Sequence, residues 1–380
     1  MNLSYVYFIL FTYPSKAAGK HMRERGPLYL FTCLALAAAF FCAFAPPAAA
    51  RYYYSWERKP KKPFFIKARV RRWQTATSAQ TRSTWLTPYY WWTPPAEGIT
   101  IGTTNDFKVM DAPLYLFSAE VQPVKGLSFE FETGDNRFSE GKYAGHDWVH
   151  APNSILTFYD SVVWEAPQHR DYAQRETETR GSARQYSTAV HLTVYKTDGL
   201  AMDGEYEMQH TLDFFVGYSW YGTRVKLFNG NKTLSTDFFL PTAPAGPMTG
   251  LNSWSNMVWQ GWRGGFREQA NLGKNFYAEA KFAFGPTMKY RGQTYWNLDT
   301  TLAKPGIRNR ATGHLVEFEI SASYKFWKQF EFEGGWMAWA YTAASGRDMY
   351  YYADGTTWEG DLDRVKATRK GVFFGLSWKY

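Results

Sequence analysis

The chain has 380 residues, enough for one large barrel or two ordinary domains. It is 19% aromatic, with 17 Trp and 27 Tyr, yet its mean hydropathy is −0.44. A helical membrane protein needs several apolar runs of about 20 residues, and only one such run is present, so that class is excluded. The formal charge of +9 is concentrated in one segment described below.

Residues 1–21 contain a short apolar run, Tyr5–Tyr13, too short to cross a bilayer. From Met22 the pattern becomes Met-Arg-Glu-Arg-Gly, an apolar stretch from Pro27 to Ala45, then Pro-Pro-Ala-Ala-Ala50. A basic start, an apolar centre and an Ala-x-Ala site define a secretory signal peptide, expected to begin at Met22 and to be cleaved after Ala50. The competing reading is a retained anchor. Whether translation starts at Met1 or Met22 stays open. Both cysteines, Cys33 and Cys42, lie in this stretch, so the mature chain is expected to lack thiol chemistry and disulfides.

Residues 51–96 read as a basic, aromatic-rich arm and lead-in. Residues 51–82 hold ten Lys/Arg against one Glu, whereas residues 83–380 hold 29 Lys/Arg and 32 Asp/Glu. Basic and aromatic residues interleaved in this way could grip nucleic acid. An exported protein meets little of it, so anionic lipid, lipopolysaccharide or cell-wall polymer is the expected partner; a disordered periplasmic tail is the alternative.

From residue 97 to 380 the chain is expected to form an all-β, antiparallel, up-and-down transmembrane barrel of about ten strands. The strands are placed at about 98–106, 113–122, 126–136, 184–197, 208–228, 252–267, 273–287, 312–326, 328–343 and 366–380. Alternation is clear where Phe129 and Phe131 oppose Glu130 and Glu132, and where Val316, Phe318 and Ile320 oppose Glu317 and Glu319. In a soluble sandwich the charged face would meet water; in a barrel it lines the lumen and the apolar face meets lipid. The connections alternate short and long, the long ones at roughly 137–183, 229–251, 288–311 and 344–365. Short turns on one rim and long loops on the other are a barrel's signature. A barrel of this size is filled by its own side chains, so a wide pore is not expected and function is assigned to the outer loops.

The last strand, Gly371–Tyr380, places Val372, Phe374, Leu376 and Trp378 on one face. It resembles the final strand of bacterial outer-membrane barrels, which pairs with the first strand. The resemblance implies that Tyr380 is read by the barrel-assembly machinery and that the protein resides in the outer membrane.

Ten strands in this loop order, with Gly145-His146-Asp147-Trp148 beyond the third, resemble the omptins, outer-membrane endopeptidases with an Asp-x-Asp-Trp motif there. Val216–Arg224 is similar to the omptin fifth strand, and Phe284–Asp299 falls where omptins carry an Asp-x-His pair. The resemblance implies peptide hydrolysis by a His-activated water facing a carboxylate pair. The departures are specific. One carboxylate position is Gly145, the Asp-x-His positions fall near Tyr295 and Asn297, and residues 286–312 contain no His. That segment holds five Lys/Arg and one Asp, which would repel basic peptides.

The candidate catalytic residues are therefore Asp147 with His146, and the candidate binding residues are Trp148, His150, Arg224, Tyr295 and Asp299. A dyad of Asp147 with His146, His150 or His314 is the enzymatic alternative. No metal or cofactor is expected. The primary expectation is a surface binding, adhesion or structural barrel, with peptide or glycan at its outer loops and no nucleic acid. A divergent endopeptidase and a narrow pore are the alternatives.

Overall fold

The computed structural model describes residues 64–86, 100–108, 112–151, 156–158, 161–164, 168–200, 207–235, 244–272 and 275–380. The expected signal peptide, the basic stretch to residue 63 and residues 87–96 of the expected lead-in lie outside the described residues.

The strands run in chain order as β1 Phe65–Trp73, β2 Ala76–Leu86, β3 Thr100–Lys108, β4 Leu114–Val124, β5 Leu127–Phe138 and β6 Lys142–Ala151. They continue as β7 Leu156–Phe158, β8 Ser161–Trp164, β9 Gln168–Leu200, β10 Glu207–Ser235, β11 Gly246–Met248 and β12 Ser253–Leu272. The last are β13 Phe276–Tyr295, β14 Leu302–Trp327, β15 Phe330–Ala343, β16 Gly346–Tyr352 and β17 Thr357–Lys379. Short interruptions split several long staves into two segments. Thus β1 and β2 form one stave, as do β3 and β4, β5 and β6, and β15 and β16. Strand pairing then gives a closed antiparallel ring of ten staves.

Closure is made by the ends of this ring. β17 pairs with β1 from Lys67↔Lys379 to Trp73↔Phe373, and Tyr380 exchanges both backbone hydrogen bonds with Ile66. The final strand therefore seals the cylinder against the first, as its pattern implies. One near-side turn is tight: Lys125-Gly126 joins β4 to β5, with Gly126 at a φ of +85° that favours glycine.

Two expectations are corrected here. The first stave is Phe65–Leu86, inside the stretch read as a periplasmic arm, so the barrel begins well before residue 97. Its alternation is Lys67, Arg69 and Arg71 inward against Ala68, Val70 and Arg72 outward. Such a strand resembles a basic tail because its inward face is cationic. The segments placed at 98–106 and 113–122 are correspondingly two parts of one stave. Second, the long outer loops are largely strand. β6 and β9 stay paired up to Ala151↔Gln168, far beyond the apolar band. Beyond the bilayer the outward face need not be apolar, so the period-two signal fades while the ladder continues.

The outward face carries the lipid band: Phe131, Val216, Phe318 and Phe374 are 49%, 62%, 40% and 57% exposed. Inside, the filling has two storeys. The near storey is ionic. Arg267 bridges Glu120 at 2.7 Å and Asp213 at 2.8 Å. Arg69 holds Glu279 through two bonds of 3.1 Å, and Arg71 reaches Glu319 at 2.9 Å and also pairs with Glu333. Lys281 and His191 both meet Glu130, at 3.2 and 2.8 Å. The far storey is apolar and aromatic, built from Trp73, Tyr221, Trp259, Tyr290, Met337, Trp339 and Tyr341 among others. Trp259 belongs to this plug, whereas Trp262 faces outward, at 64% exposure.

Candidate functional site

Asp147 sits on β6, far beyond the apolar band, with Thr103 and Ala173 as its strand neighbours. Period-two alternation along β6 turns Tyr143, Gly145 and Asp147 to the lumen and His146 to the outer wall. Asp147 is fully engaged. Arg175 of β9 donates to both of its oxygens at 3.0 Å, and Thr103 Oγ1 donates at 2.7 Å. The Arg175 guanidinium also donates to Tyr143 OH at 3.3 Å and lies 5.0 Å from the centre of the Trp296 ring. Trp296 in turn packs 5.9 Å from Tyr143.

Gly145 explains how Arg175 reaches Asp147. A Cβ at this position would lie 2.6 Å from Arg175 Nε and 2.5 Å from Tyr143 OH. The volume that a second carboxylate would need is occupied by the arginine that neutralises the first. Burial disfavours the Arg175 charge, but Asp147 and Tyr143 more than offset this and raise its pKa. Burial likewise raises the Tyr143 hydroxyl.

The candidate residues separate into different places. His146 and Asp147 point to opposite faces, so they form no dyad; His146 Nδ1 instead lies 3.2 Å from Asp171 Oδ2, which also accepts from Gln174 at 2.8 Å. Trp148 is buried, with Nε1 donating to Thr104 Oγ1 at 3.3 Å and Arg82 4.7 Å above its ring. The His150 backbone pairs with Thr100 and His169. Arg224 and Tyr295 do come together, through Trp254, at 5.8 and 6.3 Å respectively. They stand on the outer wall, with Lys304 Nζ 4.9 Å over the Tyr295 ring. Asp299 caps an exposed turn by accepting from Thr301 N and Oγ1 at 3.0 and 2.6 Å. Asn297 ties two loops, accepting from Asn252 N at 2.7 Å and donating to Gly250 O at 2.8 Å.

Sequence reasoning missed a second buried carboxylate at the same end of the lumen. Asp348 of β16 accepts from Asn309 Nδ2 at 2.6 Å, and Ser83 and Tyr350 also hydrogen-bond to it. Burial raises its pKa to about 6 against those three hydrogen bonds. Tyr350, raised by burial and then by Asp348 and Asp147, stands within electrostatic reach of both carboxylates. Arg347-Asp348-Met349 carries no catalytic motif, so only the fold could reveal it. Among the described residues no cluster of His, Cys, Asp or Glu is arranged to hold a metal.

The sealed ring, the outward apolar band and the long staves beyond it define a transmembrane-type β-barrel of omptin-like architecture. No protein-family model matches the chain, and no curated protein matches it in sequence. The outer membrane protease OmpT from Escherichia coli superposes with a TM-score of 0.62 at 11% identity, over 86% of this chain and 100% of that one. This likeness shows the fold. The CymD monoaromatic hydrocarbon channel and a Pseudomonas aeruginosa FadL homologue each reach a TM-score of only 0.24, at 7% and 9% identity. They cover 84% of this chain each, and 89% and 90% of their own. At that score neither carries weight for this chain.

Proposed function

We propose that this chain is an outer-membrane surface barrel that keeps the omptin architecture without omptin peptide hydrolysis, and acts by binding at its extracellular end or as a structural element. One observation carries this reading: Arg175 lies across Gly145 and clamps Asp147 from both oxygens. A carboxylate held in a bidentate ion pair is not available to position a water. Trp296 rather than a histidine packs against that ion pair.

Export through the 1–50 signal peptide, with cleavage after Ala50, belongs to the same proposal, as does recognition of Tyr380 by the assembly machinery. Anionic outer-leaflet lipid, lipopolysaccharide above all, is the proposed surrounding partner. Exposed, outward-facing Arg224, Lys289, Arg291 and Arg310 support it, because such cations pair with phosphates. Peptide or glycan at the outer loops is the proposed ligand class.

The peptidase alternative has one observation in its favour, the His146–Asp171 pair at 3.2 Å, which has the form of a base and its orienting carboxylate. It lies on the outer wall, on the face opposite Asp147. The test is incubation of the full chain, refolded with lipopolysaccharide, with a mixed peptide library. Asp147→Ala and His146→Ala run beside it. The proposal expects no cleavage by any of the three; cleavage by the wild type that either variant abolishes would establish the peptidase reading.

A further inference from the structure

Among the described residues five arginines are buried: Arg69, Arg71, Arg263, Arg267 and Arg369. The first four each reach at least one carboxylate. Arg369, 3% exposed, reaches none among the described residues. It lies not in the ionic storey but in the aromatic plug above it. Its Nη2 makes one long contact, 3.4 Å to Tyr221 OH, while Nε and Nη1 are buried without a hydrogen-bond partner. The rings of Trp73 and Tyr221 lie 5.8 and 5.6 Å from its Cζ, near the outer limit of a cation–π contact.

Trp339 is the direct cross-strand neighbour of Arg369 between β15 and β17, so both side chains enter the lumen side by side. The Trp339 Nε1 is also buried without a partner. Both residues line one small cavity, together with Tyr221, Tyr341, Ala367 and Thr368. Its size suits a single occupant close to water in size.

We propose that Arg369 and Trp339 form a buried binding site for one small monovalent anion of halide size within the barrel. Guanidinium stays protonated in a protein, so burial cannot be relieved by losing the charge. A buried charge without a counter-charge is strongly destabilising. The three partnerless groups, Nε, Nη1 and Trp339 Nε1, are all donors. A water there would bring two more donor hydrogens, whereas a halide only accepts and also cancels the charge. The other four buried arginines obtain both from glutamate or aspartate.

The test is to refold the full chain in sodium bromide or in sodium gluconate of equal ionic strength, gluconate being too large for the cavity. Bromide-grown crystals measured at the bromine edge should show an anomalous peak between Arg369 and Trp339. The melting temperature should rise with bromide concentration and not with gluconate. Trp339→Phe keeps a ring and removes one donor, and should weaken the apparent bromide affinity about tenfold. Arg369→Met should abolish the dependence; if it does not fold, Trp339→Phe decides. An ordered water without anomalous signal would overturn the proposal. So would a peak with no bromide-dependent melting, which is binding at crystal concentration only, or a bromide response unchanged in Trp339→Phe.

Discussion

Arg175 decides what Asp147 can do. Removing the carboxylate alone leaves a cation pressed over Gly145 between Tyr143 and Trp296. Asp147→Asn should therefore destabilise the extracellular end by about 1–2 kcal/mol. Adding Arg175→Gln should recover most of that, and a double-mutant cycle read from heat-modifiability on gels gives the coupling. Asp348 makes a different prediction, because it lies beyond the apolar band with a pKa raised by burial to about 6. Unfolded, it titrates near 3.8. Between these values the folded chain holds a proton that the unfolded chain has lost, so stability falls as pH rises from about 4 to 6 and is flat above. The contribution is at most about 3 kcal/mol. The melting difference between wild type and Asp348→Asn should change across that window; a difference independent of pH would refute the assignment. Much of this site was hidden in the sequence. Asp147-Trp148 is legible as a motif fragment, but Arg175 is brought to it only by strand pairing. Once β6 is known to be a strand, period two alone separates His146 from Asp147. Without a visible apolar face, the segment reads as loop, in which neighbouring His146 and Asp147 could act together.

The element most misread is the first stave. Its cations read as a tail because nothing nearby in sequence shows that glutamates wait across the lumen. The barrel is legible all the same because the clearest strands, around Phe129–Glu132 and Val316–Ile320, lie in the apolar band, where lipid forces alternation. β1 supplies a test on both of its faces. Val70, 48% exposed to lipid between Phe117 and Leu376, should tolerate Arg poorly, at about 2–4 kcal/mol. Arg71→Ala strands Glu319 and Glu333 inside and should cost about 3–5 kcal/mol. If both variants folded and melted like wild type, residues 65–73 would not be part of the ring. The outer extensions were illegible for the complementary reason: above the membrane the ladder of β6, β9 and β16 persists without the apolar face that announces a strand.

At the scale of the molecule, the ten staves enclose an ionic storey and an aromatic storey stacked along the lumen. The first consists of buried charges closed on one another, the second of rings such as Trp259 and Tyr341, 5.3 Å apart and stacked. Both storeys set buried side chains across the lumen, as expected of a barrel this narrow. The carboxylates at the far end of the lumen are engaged with their neighbours, Asp147 with Arg175 and Asp348 with Asn309. The most direct measurement is single-channel recording of the refolded full chain in planar bilayers. A barrel filled along its length predicts a flat trace, with no stepwise conductance at any holding potential that the bilayer tolerates. Stable, reproducible conductance steps from protein verified as folded would contradict the filled lumen and move the narrow pore from alternative to leading account.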